Sequence, residues 1–117
     1  MKQTTTISTH VLDTAYGAPA AEIAVTLERI DMPGVTTTIS RGTTNNDGRV
    51  TALVPHGTPL QVGTYRLCFD VASYFAATRR QSFYAEICIE FLVADEPQHY
   101  HVPLLLSPFG YSTYRGS

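Results

Sequence analysis

The sequence predicts an all-β fold, an antiparallel sandwich of short strands with one short helix. Three observations carry that expectation. Apolar and polar residues alternate through most of the chain, with the two-residue period of a half-buried strand. Turn-forming clusters, Met32-Pro33-Gly34, Asn45-Asn46-Asp47-Gly48 and Ser107-Pro108-Phe109-Gly110, separate the alternating runs. A single segment reads as helix, and at about two turns it depends on packing to form.

Residues 7–12 form the first strand. Residues 22–30 follow, with Ile23, Val25 and Leu27 set against Glu22, Thr26 and Glu28. Met32-Pro33-Gly34 breaks that strand, and the threonine-rich run 35–44 is β-prone. Asn45-Asn46-Asp47-Gly48 makes a tight turn, because Asn, Asp and Gly tolerate positive φ. Residues 49–54 form a strand ended by Pro55. Residues 63–71 place Tyr65, Leu67, Phe69 and Val71 on one face and Arg66, Cys68 and Asp70 on the other. Residues 73–80 are the helix, with Ser73 as its N-cap. Residues 84–93 repeat the alternation, with Ile87, Ile89, Phe91 and Val93 inward and Glu86, Cys88 and Glu90 outward. Strands at 98–106 and 111–115 complete the set. No repeat, linker or domain boundary interrupts the 117 residues, so one domain spans 1–117, with residues 1–6 as a flexible N-terminal segment.

Composition excludes several classes of function. Hydrophobic residues make up 44% of the chain, which is globular, and the net charge of −2 comes with no basic stripe, so no nucleic-acid partner is expected. No stretch approaches the ~20 apolar residues needed to span a bilayer, and Met1-Lys2-Gln3-Thr4-Thr5-Thr6 has no apolar run of a signal peptide. A cytoplasmic location without membrane association follows by default. Two cysteines are too few for a disulfide-built fold. Charged residues are sparse at 15%, which suggests a surface partly covered by other subunits.

The polar residues on outward faces point to chemistry. With Ile7 and Val11 in the core, His10 faces out of the sandwich; with Val102, Leu104 and Leu106 in the core, His99, His101, Pro103 and Leu105 face out. Two histidines more than ninety residues apart thus share outer faces with Leu12 and Leu105, a half-apolar surface of the kind that forms subunit interfaces. Arg49 follows a turn glycine, from which its planar fork can grip a carbonyl or anion. Two imidazoles and a guanidinium can together activate water and stabilise an oxyanion. Each of these histidines read alone is better explained as an ordinary surface residue.

Three segments taken in order are more specific. Ser8-Thr9-His10-Val11-Leu12-Asp13 with Gly17-Ala18-Pro19-Ala20, then Asn46-Asp47-Gly48-Arg49, then residues 100–117 ending Tyr114-Arg115-Gly116-Ser117, resemble the transthyretin-like 5-hydroxyisourate hydrolases. The ending separates those hydrolases from transthyretin, the hormone carrier on the same fold. The resemblance covers about residue 7 to the end. It implies a transthyretin-like antiparallel β-sandwich of two four-stranded sheets with one short helix. It also implies a homotetramer with active sites at the dimer–dimer interface.

The implied reaction is hydrolysis of an amide bond in the six-membered ring of 5-hydroxyisourate. Its product is 2-oxo-4-hydroxy-4-carboxy-5-ureidoimidazoline, made in urate degradation without metal or organic cofactor. The family's catalytic set falls on His10, Arg49, His101 and Ser117. In this reading His10 takes a proton from water, and Arg49 holds a carbonyl and keeps its histidine neighbour neutral. His101 orients substrate or passes a proton to the leaving nitrogen, and Ser117 with its carboxylate binds or relays protons. Tyr114, Arg115 and Gly116 form the substrate-binding wall, with Tyr114 narrowing the channel. The segment Ser82-Phe83-Tyr84-Ala85-Glu86 departs from the pattern by lacking a proline near Ala85.

Other readings compete. A non-catalytic small-ligand carrier of the transthyretin type uses the same fold, and an adhesion-type sandwich leaves the outward histidines unexplained. His99-x-His101 with His10 has the spacing of a metal trio, though no neighbouring group completes a second shell. Cys68 and Cys88 sit on outward faces of neighbouring strands and are expected to stay reduced. Asp13 reads as a strand-end anchor, Asp47 as a turn former and His56 as loop surface. Ser112 fits either the channel wall or an edge-strand hydroxyl.

Overall fold

The structure, a computed structural model, describes residues 4–117. Its strands are β1 (Thr6–Asp13), β2 (Ala18–Pro19), β3 (Ala24–Met32), β4 (Val35–Thr43), β5 (Arg49–Val50), β6 (Gly63–Phe69), β7 (Ile87–Val93), β8 (His99–Ser107) and β9 (Gly110–Thr113); the helix is α1 (Val71–Ala77). One sheet runs β2-β1-β8-β9, with β5 also paired to β1, and the other runs β4-β3-β6-β7. The second sheet has the four strands expected. The first gains a fifth because β2 and β5, two residues each, share one edge of β1 end to end.

The inward face of each strand supplies the core. Ile7, Val11, Leu27, Tyr65, Leu67, Phe69, Leu104 and Leu106 are essentially inaccessible, as the alternation predicts. At ~25 cal/mol per Å² of apolar surface, each such side chain contributes about 1.5–3 kcal/mol.

Four expectations need correction. The sandwich is not antiparallel throughout: β1 and β8 pair parallel, in register from Thr6 with His99 to Asp13 with Leu106. The two ends of the chain enter the same sheet in the same direction, which a connection through the whole sandwich permits and a hairpin does not. The strand expected over 49–54 stops at Val50, because the chain leaves the sheet to bury Leu53.

The helix begins earlier than expected. Its N-cap is Asp70, whose carboxylate accepts from the Ser73 N–H at 3.2 Å and from the Ser73 hydroxyl at 2.7 Å. Val71, expected at the end of a strand, is its first residue. The segment expected to be flexible is ordered where it is described: Thr5 is buried and Thr6 opens β1, donating its N–H to the Gln98 carbonyl; residues 1–3 lie outside the described residues. Pro103 takes the outward face beside His101 as expected, and the C-terminal segment at Gly116 covers it there.

Asp13 anchors the helix to the first sheet. Its carboxylate, fully buried, takes a 2.5 Å ion pair from Arg80 and a 2.8 Å hydrogen bond from the Tyr74 hydroxyl. Burial pushes its pKa up, but the bonds from Arg80, Tyr74 and the Tyr16 N–H outweigh that and leave it below the ordinary carboxylate value.

Candidate active site

The parallel pairing of β1 with β8 builds the site. Thr6, Ser8 and His10 alternate on one face of β1, and the register sets Thr6 beside His99 and Ser8 beside His101 on the outer face. The side chains join in one chain. The Thr6 hydroxyl lies 2.6 Å from His99 Nδ1, His99 Nε2 lies 3.0 Å from Ser8 Oγ, and Ser8 Oγ lies 2.8 Å from His101 Nδ1. The two imidazole planes are stacked, 16° apart with centroids at 6.4 Å. No hydrogen-bond partner for His101 Nε2 or for His10 occurs among the described residues.

Arg49 reaches this face from β5, where it pairs with His10. The preceding turn makes that possible. Asn45 Oδ1 accepts from the backbone N–H groups of Asp47 and Arg49, an Asx turn, so Asn45 rather than Asp47 supplies the turn's side-chain bonds. Gly48 has φ of 75°, and a Cβ there would meet the Val11 carbonyl at 2.4 Å. Only glycine lets the turn dock on β1, where the Gly48 carbonyl accepts from the Val11 N–H at 2.7 Å. Arg49 is exposed and forms no ion pair among the described residues, so its charge faces the histidines unneutralised.

The C-terminal segment closes one side. Gly116 donates its N–H to the His101 carbonyl at 2.8 Å, and a Cβ at 116 would meet His101 Cδ2 at 2.5 Å. The imidazole therefore lies across a surface that only glycine leaves free, and Ser117 is the next residue. Tyr114 and Arg115 lie away from the imidazole rings among the described residues, and Arg115 meets His99 only at its backbone carbonyl. Tyr114 lines a cleft of about 370 Å³ between the edges of β7 and β9, with Phe91, Leu92 and Tyr100. Arg115 stacks over the Tyr100 ring at 4.7 Å and donates to Gln98 Oε1 and the His99 carbonyl.

The electrostatics single out His101. Partial burial comes first, then the charge of Arg49 and the neighbouring His99 and His10, and together they hold its pKa below the ordinary histidine value of 6.5. These influences favour its neutral form. The metal trio considered from spacing meets an obstacle of its own, since both nitrogens of His99 already contact hydroxyls.

Thr6, Ser8 and the place of His99 between their hydroxyls were not legible in the sequence. The signal was present in the polar alternation Thr6, Ser8, His10 along one strand face. What it lacked was the partner strand, since a parallel pairing of the chain ends has no local signature.

Residues 7–116 match the HIUase/Transthyretin family. The chain belongs to this family. The HIUase/transthyretin relatives include the 5-hydroxyisourate hydrolase of Salmonella typhimurium, 43% identical over 111 residues, 95% of this chain and 80% of the relative. Among solved structures, the 5-hydroxyisourate hydrolase of Klebsiella pneumoniae is similar at a TM-score of 0.83 with 36% identity, covering 100% of this chain and 97% of that one. Sea bream transthyretin in complex with thyroxine is similar at 0.86 with 29% identity, covering 94% and 93%.

Proposed function

We infer that this chain is a hydrolase that opens the six-membered ring of 5-hydroxyisourate, giving 2-oxo-4-hydroxy-4-carboxy-5-ureidoimidazoline in urate degradation. The observation that carries the reading is the Thr6–His99–Ser8–His101 relay beside Arg49, in a chain related over nearly its whole length to proteins of that name.

Hydrogen accounting gives the relay two polarities. If His101 Nδ1–H donates to Ser8, Ser8 donates to His99 Nε2 and His99 Nδ1–H donates to Thr6; His101 Nε2 is then a bare base. If every bond reverses, His101 Nε2 carries a proton to give. One relay thus supports both halves of an amide hydrolysis.

His101 Nε2 takes a proton as water attacks the ring carbonyl. Arg49 stabilises the oxyanion, and collapse breaks the C–N bond as the leaving nitrogen is protonated. The lowered pKa of His101 supports it, rather than His10, as the base; the proton it takes from water passes from Nε2 to the leaving nitrogen, and His10, opposite Arg49, orients substrate. Ser117 adds a hydroxyl at the side of the site closed by Gly116, and Tyr114 and Arg115 complete the wall in the assembly. No metal or organic cofactor takes part in this scheme.

The site lies on an open outer face, and its enclosure requires other subunits. The homotetramer is supported by one unpaired edge of each sheet, β7 and β9, which flank an apolar cleft with Leu92 and Tyr114 largely exposed. We place the enzyme, as one transthyretin-like domain over residues 1–117, in the cytoplasm; among the described residues no helix is long and apolar enough to cross a membrane.

The deciding assay follows the ultraviolet decay of freshly generated 5-hydroxyisourate with and without the protein. Acceleration abolished in His101→Ala supports the reading. Decay no faster than the spontaneous rate sinks it and leaves the carrier alternative ahead.

A further inference from the structure

The outer face of the second sheet holds a cluster that ring hydrolysis does not use. Cys68 on β6 and Cys88 on β7 are directly opposite in the ladder, with their sulfurs 2.9 Å apart and unbonded. Glu86 shares the outer face with Cys88 two residues on, and its Oε1 is 3.2 Å from Cys88 Sγ. On the other side, Glu28 Oε1 lies 3.3 Å from Cys68 Sγ. Glu28 is itself fixed by Arg66, at 2.9 Å to Nη2 and 3.0 Å to Nε. A cleft of about 260 Å³ lined by Glu28, Arg41, Arg66, Cys68 and Glu86 opens over the cluster.

We propose that Cys68, Cys88 and Glu86 form a binding site for a thiophilic divalent cation of the zinc class, separate from the hydrolytic site.

One ligand atom from each of the three residues lies within 4.8 Å of the others. A tetrahedral ion with M–S near 2.3 Å needs its two sulfurs about 3.8 Å apart, so the pair opens by under an ångström through side-chain rotation. Soft thiolates select this class of ion over magnesium or calcium. Water takes the fourth position.

Charge supports the geometry. A divalent cation offsets the carboxylates and the two sulfurs together. Binding is balanced as two thiols plus one ion giving two metal-bound thiolates and two released protons, with no change of oxidation state.

The test uses the full chain kept reduced by a phosphine, with two free thiols per chain verified, and titrated with Co²⁺. The proposal expects a near-ultraviolet thiolate-to-cobalt charge-transfer band that saturates at one ion per chain and is bleached by Zn²⁺. Cys88→Ser, at an exposed position, abolishes the band and leaves ring hydrolysis by the metal-free protein unchanged. Glu86→Gln weakens binding at least by the roughly 10–100-fold that loss of an outer-shell partner costs. The proposal is overturned by absence of the band, by binding that survives Cys88→Ser and is lost in His99→Ala, or by a pair that stays disulfide-bonded in reductant.

Discussion

On the outer face of the first sheet, Thr6, His99, Ser8 and His101 join hydroxyls to imidazoles; on that of the second, Glu28, Arg66, Cys68 and Cys88 join ions to thiols. Both chains run across paired strands with side chains in register. They differ in what is left over. In the second, Glu28 is neutralised by Arg66 and the thiols hold their protons. In the first, Arg49 has no carboxylate partner among the described residues, and His101 keeps a nitrogen free. A satisfied ladder stabilises a fold or awaits an ion. A ladder with one unpaired cation and one free base nitrogen can act on a substrate at neutral pH.

The contrast breaks most sharply at Arg49. Arg49→Ala is expected to lower kcat/KM for 5-hydroxyisourate by about 10²–10³, the usual cost of one oxyanion donor, with the thermal midpoint unchanged. Equal loss of midpoint and activity would instead mark Arg49 as structural.

Asp13→Asn comes next, because it strands a largely buried Arg80 and is expected to cost roughly 3–5 kcal/mol in a denaturant melt. A carboxylate with a lowered pKa contributes stability above its ordinary pKa and loses it in acid. Wild-type stability should therefore fall as pH drops below about 4, more steeply than in the variant.

Gly116→Ala pushes a methyl into the His101 ring and should reduce kcat about 10²-fold with little change in stability, a misplacement effect seen in steady-state kinetics. The pH profile sharpens the same point. His101 is depressed, so kcat/KM should stay level as pH falls through 6.5 and decline only below it. An acid limb at or above 6.5 would shift the base assignment to another group.

The smallest effect belongs to the second ladder. Glu28→Gln removes a partly exposed ion pair and should change stability by no more than about 1 kcal/mol without altering hydrolysis.

Sequence alone determined most of the strands, the core faces and the identity of the groups that meet. Alternation reports which side chains leave water, so Tyr65, Leu67, Leu104 and Leu106 were legible, as were the outward turns of His10 and His101. Asn45-Asn46-Asp47-Gly48 announced its turn because positive φ limits the residues allowed.

Tertiary structure decided the rest. The parallel register of β1 with β8 makes Ser8 a bridge between two histidines, and nothing local encodes it, because residues 91 and 93 apart meet only when the sandwich closes. The same holds for Gly116 under the His101 ring and for Asp70, whose carboxylate rather than the Ser73 hydroxyl caps the helix. Local patterns record which face a residue takes; which neighbour it finds there depends on strand pairing, and pairing is set by the energy of the whole core.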